Sequence, residues 1–264
     1  MLRVTILGCG SSGGVPRIGP DWGACDPTNP KNRRRRCSCL VERLGPGGVT
    51  AVLVDTSPDL REQMLSAGVG ALDGVVYTHD HADHTHGVDD LRAFSLRMRR
   101  RVPVYMDPTV WETMHTRFGY CFRTPPGSSY PPILDARPFT PDEAFHIDGA
   151  GGPIVIRPIS VGHGDITALA LRFDDILYMP DVNDISADAT EQMRSLDTLI
   201  IDALRYTTHP SHFTVSDALD WIDRLAPKRA ILTNLHVDLD YDVLTREAEG
   251  KAEIAYDGLV HEQV

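Results

Sequence analysis

Three histidines and two aspartates that could bind metal fall within one short segment, His79-Asp80-His81-Ala82-Asp83-His84. Imidazole and carboxylate groups are ligands that suit zinc, manganese or iron. His79 and His81 are two residues apart, so an extended or turn backbone projects both to the same side. Asp83 and His84 follow the bend, where the start of a helix would aim them at a second ion. The spacing therefore predicts two metal ions, which can assist a phosphoryl or acyl transfer together.

The elements that must position this segment come directly before it. Residues 74–78 form a short apolar run that predicts a buried strand leading into His79. A second apolar run, residues 51–55, ends at Asp55. Residues 57–67 predict a helix, because Pro58 suits the first turn and Ser57 is a possible N-cap. A strand over residues 4–7 completes the first part of the chain, and the long Gly-, Pro- and Arg-rich segment that follows it predicts a functional or flexible loop.

The remainder of the chain alternates between strand and helix patterns. Strands are predicted over residues 103–106, 154–159, 168–173, 176–179, 198–202 and 230–234, and a helix over 88–96. Residues 215–225 predict an amphipathic helix with Thr214 as its N-cap, and residues 119–132 predict a loop or lid. This order predicts an α/β fold of stacked layers in one domain, residues 1–264, with the site at one edge of the sheets.

Composition limits the classes of protein to be considered. Apolar residues make up 42% and charged residues 24%, as in ordinary soluble proteins. The chain has no apolar run long enough to span a membrane, no signal peptide, and an odd number of cysteines, so we expect a cytoplasmic protein. A formal net charge of −11 makes nucleic acid an unlikely partner. Two basic runs, Arg33–Arg36 and Arg97–Arg101, are either solvated surface or a rim that guides anions.

The segment 79–84 resembles the signature of the metallo-β-lactamase superfamily, and later residues match that superfamily in order and kind. The resemblance implies an αββα fold, in which two mixed sheets are flanked by helices. It implies that one ion is held by His79, His81, His163 and Asp181. It implies that the second ion is held by Asp83, His84, Asp181 and His236. Related chains carry a histidine where this one has Asn234, so either Asn234 or His236 would complete the second set.

The resemblance also assigns roles around these ligands. Asp55 matches an aspartate that orients the metal-binding histidines by accepting their second N–H. His212 matches a histidine that contacts the scissile phosphate and protonates the leaving oxygen, as an imidazole near its usual pKa can at neutral pH. Asp202 borders the same loop and is a further candidate for substrate contacts. Ser12 and Gly13 lie in a glycine-rich turn whose N–H groups could approach a phosphate.

Within the superfamily the chain resembles the branch that contains the PhnP phosphodiesterase. The matching segments are residues 7–16, LGCGSSGGVP, and residues 29–36, NPKNRRRR. Members of this branch often carry a structural zinc on clustered cysteines. This chain offers only Cys25, Cys37 and Cys39 in that region, at a different spacing, so we expect that zinc to be absent and these cysteines to be reduced.

These residues predict a phosphodiesterase that requires two divalent ions, zinc or manganese, with iron as a further option. A hydroxide bridging the ions would attack a small cyclic phosphodiester, such as a cyclic nucleotide or ribosyl cyclic phosphate, with Asp83 and His212 as catalytic residues. An RNA 3′-processing nuclease, or a non-hydrolytic protein that binds a nucleotide or cofactor, is the alternative. The expected partner is a small phosphodiester or nucleotide. No membrane partner is expected, and a homodimer is compatible with the sequence.

Overall fold

The computed structural model describes residues 1–263, and the chain divides into two compact units. The first unit comprises Met1–Leu7, Ser38–Val155 and residues 260–263. The second unit comprises Gly8–Cys37 and Ile156–Leu259. The single domain expected over residues 1–264 stays a prediction. Within residues 1–263, no helix is both long enough and apolar enough to cross a bilayer.

Strands make up both sheets and are numbered in chain order. They are β1 (Leu2–Gly8), β2 (Ser38–Gly45), β3 (Gly48–Val54), β4 (Gly74–Val76), β5 (Val102–Met106), β6 (Leu134–Pro138), β7 (Phe145–Ile147), β8 (Ile154–His163), β9 (Ile166–Phe173), β10 (Ile176–Met179), β11 (Thr198–Asp202), β12 (Arg229–Thr233), β13 (Glu253–Ile254) and β14 (Val260–Gln263). The α-helices are α1 (Leu60–Ala67), α2 (Ala82–Thr85), α3 (Leu91–Met98), α4 (Pro108–Phe122), α5 (Ala187–Gln192), α6 (Val215–Leu225) and α7 (Tyr241–Glu247).

The sheet of the first unit has the strand order β14-β1-β2-β3-β4-β5-β6. It is mixed, because β2 pairs with β3 in antiparallel fashion whereas β3, β4, β5 and β6 run parallel. α3 packs on β5 and α4 on β6, over a buried apolar cluster that includes Leu53, Val75 and Val104. Asp107 caps the start of α4, where its carboxylate accepts from the backbone N–H groups of Thr109 and Val110.

The strands of the second unit follow the order β13-β12-β11-β10-β9-β8. β8, β9 and β10 are antiparallel, and β10 to β13 are parallel, so this sheet is also mixed. α6 begins with a capping box between Thr214 and Asp217, which confirms Thr214 as the N-cap. Its apolar face packs into the core of this unit, where each fully buried aliphatic side chain is worth about 1.5–3 kcal/mol. Two mixed sheets flanked by helices confirm the predicted fold class.

Three local predictions need correction. Cys37 and Cys39 were expected on a strand, but the rest of β2 falls in the segment expected to be loop, because Glu42 and Arg43 interrupt its apolar residues. The first residues of the predicted loop 119–132 belong to the end of α4, which runs to Phe122. The helix expected from residue 57 begins only at Leu60, since Ser57 uses its hydroxyl to accept from the backbone N–H of Asp59.

Candidate metal centre

The histidine segment of the first unit sits where a parallel strand ends. β4 stops at Val76, and His79 follows three residues later. The backbone of His81 is extended, with φ −63° and ψ 153°, and α2 begins immediately after it at Ala82. His79 and His81 therefore lie on extended chain, whereas Asp83 and His84 lie in a helical turn. This is the change of backbone that the spacing predicted.

Side chains of this segment converge on a small volume. The ring centroids of His79 and His81 are 4.6 Å apart, and those of His79 and His84 are 4.2 Å apart. Nε2 of His84 lies 3.5 Å from a carboxylate oxygen of Asp83. His79 and His84 are buried, whereas His81 is exposed. Three imidazoles and a carboxylate thus meet at an edge that solvent can reach.

Asp55 is buried and fixes the positions of Thr78 and His84 by hydrogen bonds. Its carboxylate accepts from the backbone N–H of Thr78, from the Thr78 hydroxyl and from Nδ1 of His84, each at 2.8 Å. Burial raises the pKa of Asp55, and the contacts with His84 and Thr78 act in the opposite direction. Because Nδ1 of His84 is committed to Asp55, Nε2 is the nitrogen directed toward Asp83 and available to a metal. Asp55 follows β3 with a left-handed φ of 61°, a strained conformation for a non-glycine residue.

The second unit brings its polar residues together at the carboxyl ends of parallel strands. Asp181 follows β10, Asp202 ends β11, and Asn234 follows β12. These three strands are adjacent and parallel, so their carboxyl ends meet at one edge, which is where α/β sheets commonly bind ligands. Asn234 has a left-handed φ of 61°. This edge therefore holds a second group of polar side chains that could bind a metal or a substrate.

His163, Asp181 and His212 form a compact group at this edge, and their potential ligand atoms all lie within 4.8 Å of one another. Nε2 of His163 is 3.6 Å, and Nε2 of His212 is 3.8 Å, from the same oxygen of Asp181. Nδ1 of His163 is 2.6 Å from the backbone carbonyl of Ser211, which accepts its hydrogen bond. Both imidazoles therefore present Nε2 to Asp181, as expected of residues that bind a metal or act on its substrate.

Asp202 lies behind His212 and is fully buried. One of its oxygens is 2.8 Å from Nδ1 of His212 and accepts from the backbone N–H of Val182 at 3.1 Å. Its other oxygen accepts from Nδ2 of Asn234 at 3.2 Å. Burial raises the pKa of Asp202, while the contact with His212 lowers it. The structure thus places Asp202 behind His212, where it holds that ring by Nδ1. Its predicted contact with a substrate stays a prediction.

His236 is placed differently from the ligand that the sequence predicted. Its Nδ1 is 2.9 Å from a carboxylate oxygen of Asp238, and its Nε2 lies against the guanidinium of Arg17. Within residues 1–263, no group of three metal-capable side chains with such close ligand atoms includes His236. Since both of its ring nitrogens have protein partners, the geometry gives a metal-binding role of His236 no support. The side-chain N–H of Asn234 likewise has a protein partner, because it donates to a carboxylate oxygen of Asp202.

The glycine-rich turn after β1 is exposed at Ser12 and Gly13. It closes through a hydrogen bond from the N–H of Gly14 to the carbonyl of Ser11, and Gly14 has a left-handed φ of 64°. A Cβ added at Gly13 would lie 3.2 Å from Cγ of Arg17, so the arginine side chain crosses this residue. The predicted phosphate contacts of Ser12 and Gly13 stay predictions. Arg17 itself was missed, because an isolated arginine in a loop carries no sequence signal.

The cysteines are buried and occupy separate surroundings. The thiol of Cys25 donates to the backbone carbonyls of Val237 and Leu239, both at 3.3 Å. Cys37 lies beside the Thr233 hydroxyl, and Cys39 is in β2. In the part of the chain that the structure describes, the close metal-capable groups contain no cysteine. Burial is the main cause that raises the pKa of each of the three thiols.

The donor sets fit divalent transition metals. Neutral imidazoles held by Nδ1 and carboxylates beside them are the ligands that zinc, manganese and iron accept. The first unit supplies His79, His81, Asp83 and His84, and the second supplies His163 and Asp181, with His212 beside Asp181. The same ligands accept more than one of these ions, so the donor set fits metal binding in general and selects no single metal.

Comparison with known proteins places the chain in a large group of hydrolases. A family model, the β-lactamase superfamily domain, matches residues 50–234. A crystal structure of a new diphosphatase from the PhnP family is 32% identical, with a TM-score of 0.88 over 100% of this chain and 98% of that one. Zinc-bound PqqB from Methylobacterium extorquens, at 16% identity, shares the fold with a TM-score of 0.73 over 99% of this chain and 100% of that one.

A curated relative extends beyond this chain. An octanoyltransferase from Porphyromonas gingivalis is 33% identical over 237 residues. The match covers 89% of this chain and 46% of that protein. The chain therefore spans about half the length of that relative.

Proposed function

This chain belongs to the metallo-β-lactamase superfamily of hydrolases and, within it, to the PhnP family, and from that premise we propose that it hydrolyses a small phosphodiester with the help of two divalent metal ions. The observation that carries the proposal is the group formed by His163, Asp181 and His212, in which Asp202 holds His212 by Nδ1. In this group a potential proton donor, His212, lies beside side chains that could bind a metal. An alkoxide leaving group needs such a donor, because it departs more readily when it is protonated.

The chemistry divides between the metals and the protein. When bound, two divalent ions stabilise the charge that develops on the phosphoryl oxygens and activate a water molecule. His212 holds a proton at Nε2 and delivers it to the leaving oxygen, while Nδ1 stays bonded to Asp202. Asp55 fixes the ring of His84 through Nδ1, so that Nε2 stays in position. Zinc and manganese are the ions we propose.

A phosphoric anhydride is a second candidate substrate. The PhnP-family relative that matches the whole chain is named a diphosphatase. Hydrolysis of an anhydride uses the same charge stabilisation but has a better leaving group, so it depends less on a proton from His212. A cyclic phosphodiester therefore requires His212 more strictly than a diphosphate does, and this difference separates the two candidates.

Octanoyl transfer receives no support from this chain. A transferase that carries an acyl group on the protein needs an activated nucleophile such as a thiolate. All five cysteines are buried, and burial raises the pKa of each. The activity in the name of the Porphyromonas gingivalis protein is better assigned to the half that this chain does not match.

The test is hydrolysis by the purified protein after its metal content has been measured. The panel comprises a 2′,3′-cyclic nucleotide, bis(p-nitrophenyl) phosphate, a nucleoside diphosphate, a thioester and a β-lactam. We expect turnover of the phosphodiesters and loss of both metal and activity in His79→Ala. His146→Ala is the matched control, since this histidine is exposed with a side chain 62% accessible. Turnover of the thioester or lactam alone would refute the proposal.

His212→Ala separates proton transfer from metal binding. As a proton donor, His212 can be removed without loss of metal, so we expect full metal content and activity toward the cyclic nucleotide reduced by about 100-fold or more. Hydrolysis of an ester with a p-nitrophenolate leaving group should fall much less, because that group needs no proton. Loss of metal from this variant would instead assign His212 as a ligand.

A further inference from the structure

Asn183 joins two segments of the second unit that carry residues of the site. Its side-chain oxygen accepts from the backbone N–H of Gly164 at 2.9 Å, and its Nδ2 donates to the backbone carbonyl of Pro210 at 2.8 Å. Gly164 directly follows His163, and Pro210 lies two residues before His212. One amide side chain therefore links the backbone beside both imidazoles.

The proposed proton donor lies on a loop that needs such a contact. The N–H of Leu204 donates to the carbonyl of Phe213 at 3.0 Å, which closes the loop over residues 205–212. This bond fixes the base of the loop, whereas the amide of Asn183 holds its outer part at Pro210. Removal of the amide would free the chain immediately before the catalytic imidazole.

The next residue of the loop binds the other imidazole. The carbonyl of Ser211 accepts from Nδ1 of His163 at 2.6 Å. Two consecutive carbonyls, those of Pro210 and Ser211, thus accept from Asn183 and His163. An imidazole is oriented by the group that accepts its second N–H, so a movement of Pro210 that displaces the Ser211 carbonyl would also turn the ring of His163.

The two segments approach each other too closely for a side chain at Gly164. This residue has a left-handed φ of 61°, and a Cβ added to it would lie 2.9 Å from Cβ of Ser211. The N–H of Gly164 and the carbonyl of Pro210 consequently face the same side chain. An asparagine amide carries an acceptor and a donor in one plane, whereas an ionised aspartate of nearly the same shape has only acceptors. The contacts therefore call for an amide at this position.

We propose that Asn183 is a positioning residue that sets the orientation of His163 and His212 together. This inference rests on the proposed function and adds to it a residue that acts through the two imidazoles and takes no part in bond cleavage. Its main effect should fall on proton donation, because the loop that carries His212 loses the anchor of its outer part when the amide is removed.

Asn183→Leu removes both contacts with little change in size. At saturating metal we expect kcat for a 2′,3′-cyclic nucleotide to fall by about tenfold or more, as is typical when a residue that orients a site imidazole is lost. Hydrolysis of bis(p-nitrophenyl) phosphate should fall much less, because its leaving group needs no proton. Asn183→Asp can still accept from Gly164 but cannot donate to Pro210, so it should show the same difference between the two substrates.

A double variant tests whether Asn183 acts through His212. In a His212→Ala background, Asn183→Leu should reduce kcat for the cyclic nucleotide little further, since both changes then remove the same function. Ser186→Ala is the matched control, because Ser186 is the N-cap of α5 in the same segment and its loss should lower stability alone. Equal losses toward both substrates in Asn183→Leu, or additive losses in the double variant, would overturn the positioning role.

A spectroscopic measurement on the metal-free protein needs no activity. The Nδ1 proton of His163, bonded to the Ser211 carbonyl, should be visible in nitrogen-15 NMR spectra of the wild-type protein and of Ser186→Ala. We expect solvent exchange to remove it in Asn183→Leu. If the wild-type protein cleaves neither substrate, the proposed function fails, and the role of Asn183 is judged by this signal alone. Its persistence in Asn183→Leu, or its absence from the wild-type protein, would refute the inference.

Discussion

Asp202 and His212 form a hydrogen-bonded pair, 2.8 Å between Oδ2 and Nδ1, in which the carboxylate is fully buried and the imidazole is partly accessible. The aspartate is fixed by two further donors, the N–H of Val182 and the amide of Asn234. The ring of His212 therefore has one orientation, and its Nε2 faces Asp181. Any proton that His212 transfers must pass through that nitrogen.

We expect Asp202→Asn to lower kcat for a cyclic phosphodiester by about 100-fold, a cost typical of residues that orient a catalytic imidazole. Loss of the carboxylate charge disfavours the protonated ring, so activity should begin to fall at a lower pH than in the wild-type protein. The full pH profile of kcat checks this. Asp217→Asn, which alters the capping box of α6, is the control and should reduce stability without moving the profile. An unchanged profile in Asp202→Asn would contradict the positioning role.

Asp55→Asn should weaken metal binding by the first unit. Asparagine is close in shape to aspartate but cannot accept from both Thr78 and Nδ1 of His84 with the same strength. Loss of such a partner typically reduces metal affinity by about 10- to 100-fold. Competition with a chelator, followed by elemental analysis, measures this directly. Unaltered affinity would show that the Asp55–His84 contact serves folding alone.

The cysteines of the folded protein should resist modification. Burial raises the pKa of Cys9, Cys37 and Cys39 well above its ordinary value, so less thiolate is present at pH 8 than in the unfolded chain. We expect negligible reaction with Ellman's reagent in the native state and full reaction of all five thiols in denaturant. Rapid labelling of the native protein would reveal an accessible thiol and would reopen the question of acyl transfer.

The carboxylate of Asp240 should make the free energy of unfolding depend on pH. Burial acts to raise its pKa, but hydrogen bonds from the N–H groups of Asp26, Val243 and Asp242 and from Asn32 outweigh it, so the pKa is lowered. Such a carboxylate stabilises the fold above the unfolded-state pKa of about 4, and this contribution is lost as the pH falls through the native value.

Asp240 is also the N-cap of α7. We therefore expect Asp240→Ala to reduce the free energy of unfolding by about 1–2 kcal/mol at pH 7 and by less at pH 3. Urea unfolding at the two pH values measures this. The exposed Asp220→Ala on α6 serves as the control and should show no comparable dependence. A deficit of equal size at both pH values would show that the charge of Asp240 contributes nothing.

Sequence patterns predicted the elements that carry the site more reliably than the contacts of individual side chains. The segment 79–84 and the helix α6 have strong local signals, namely clustered ligands after a strand and an N-cap before an amphipathic run. The part of β2 that follows Cys39 was missed because Glu42 and Arg43 face partly toward solvent and break its apolar pattern.

The contact of His236 with Arg17 could not be predicted from the sequence, for a different reason. Arg17 is 219 residues away along the chain, and long-range backbone contacts, among them those of Ser11 with Leu235 and of Ala24 with Val237, bring the two segments together. The sequence identified both Asp202 and His212 as candidates in the same loop, but it did not predict that they contact each other. The carboxylate of Asp202 is buried behind the imidazole, which only the structure shows. Contacts of this kind depend on tertiary packing, which periodicity does not encode.

The left-handed backbone at Asp55 and Asn234 has a consequence for laboratory evolution of this protein. The backbone at each position would be less strained with glycine, which adopts that conformation without a steric penalty. Glycine, however, would remove the carboxylate that holds His84 or the amide that holds Asp202. A substitution that relieves backbone strain at either position therefore also disturbs the site, so variants selected for heat resistance must be screened for turnover in every round.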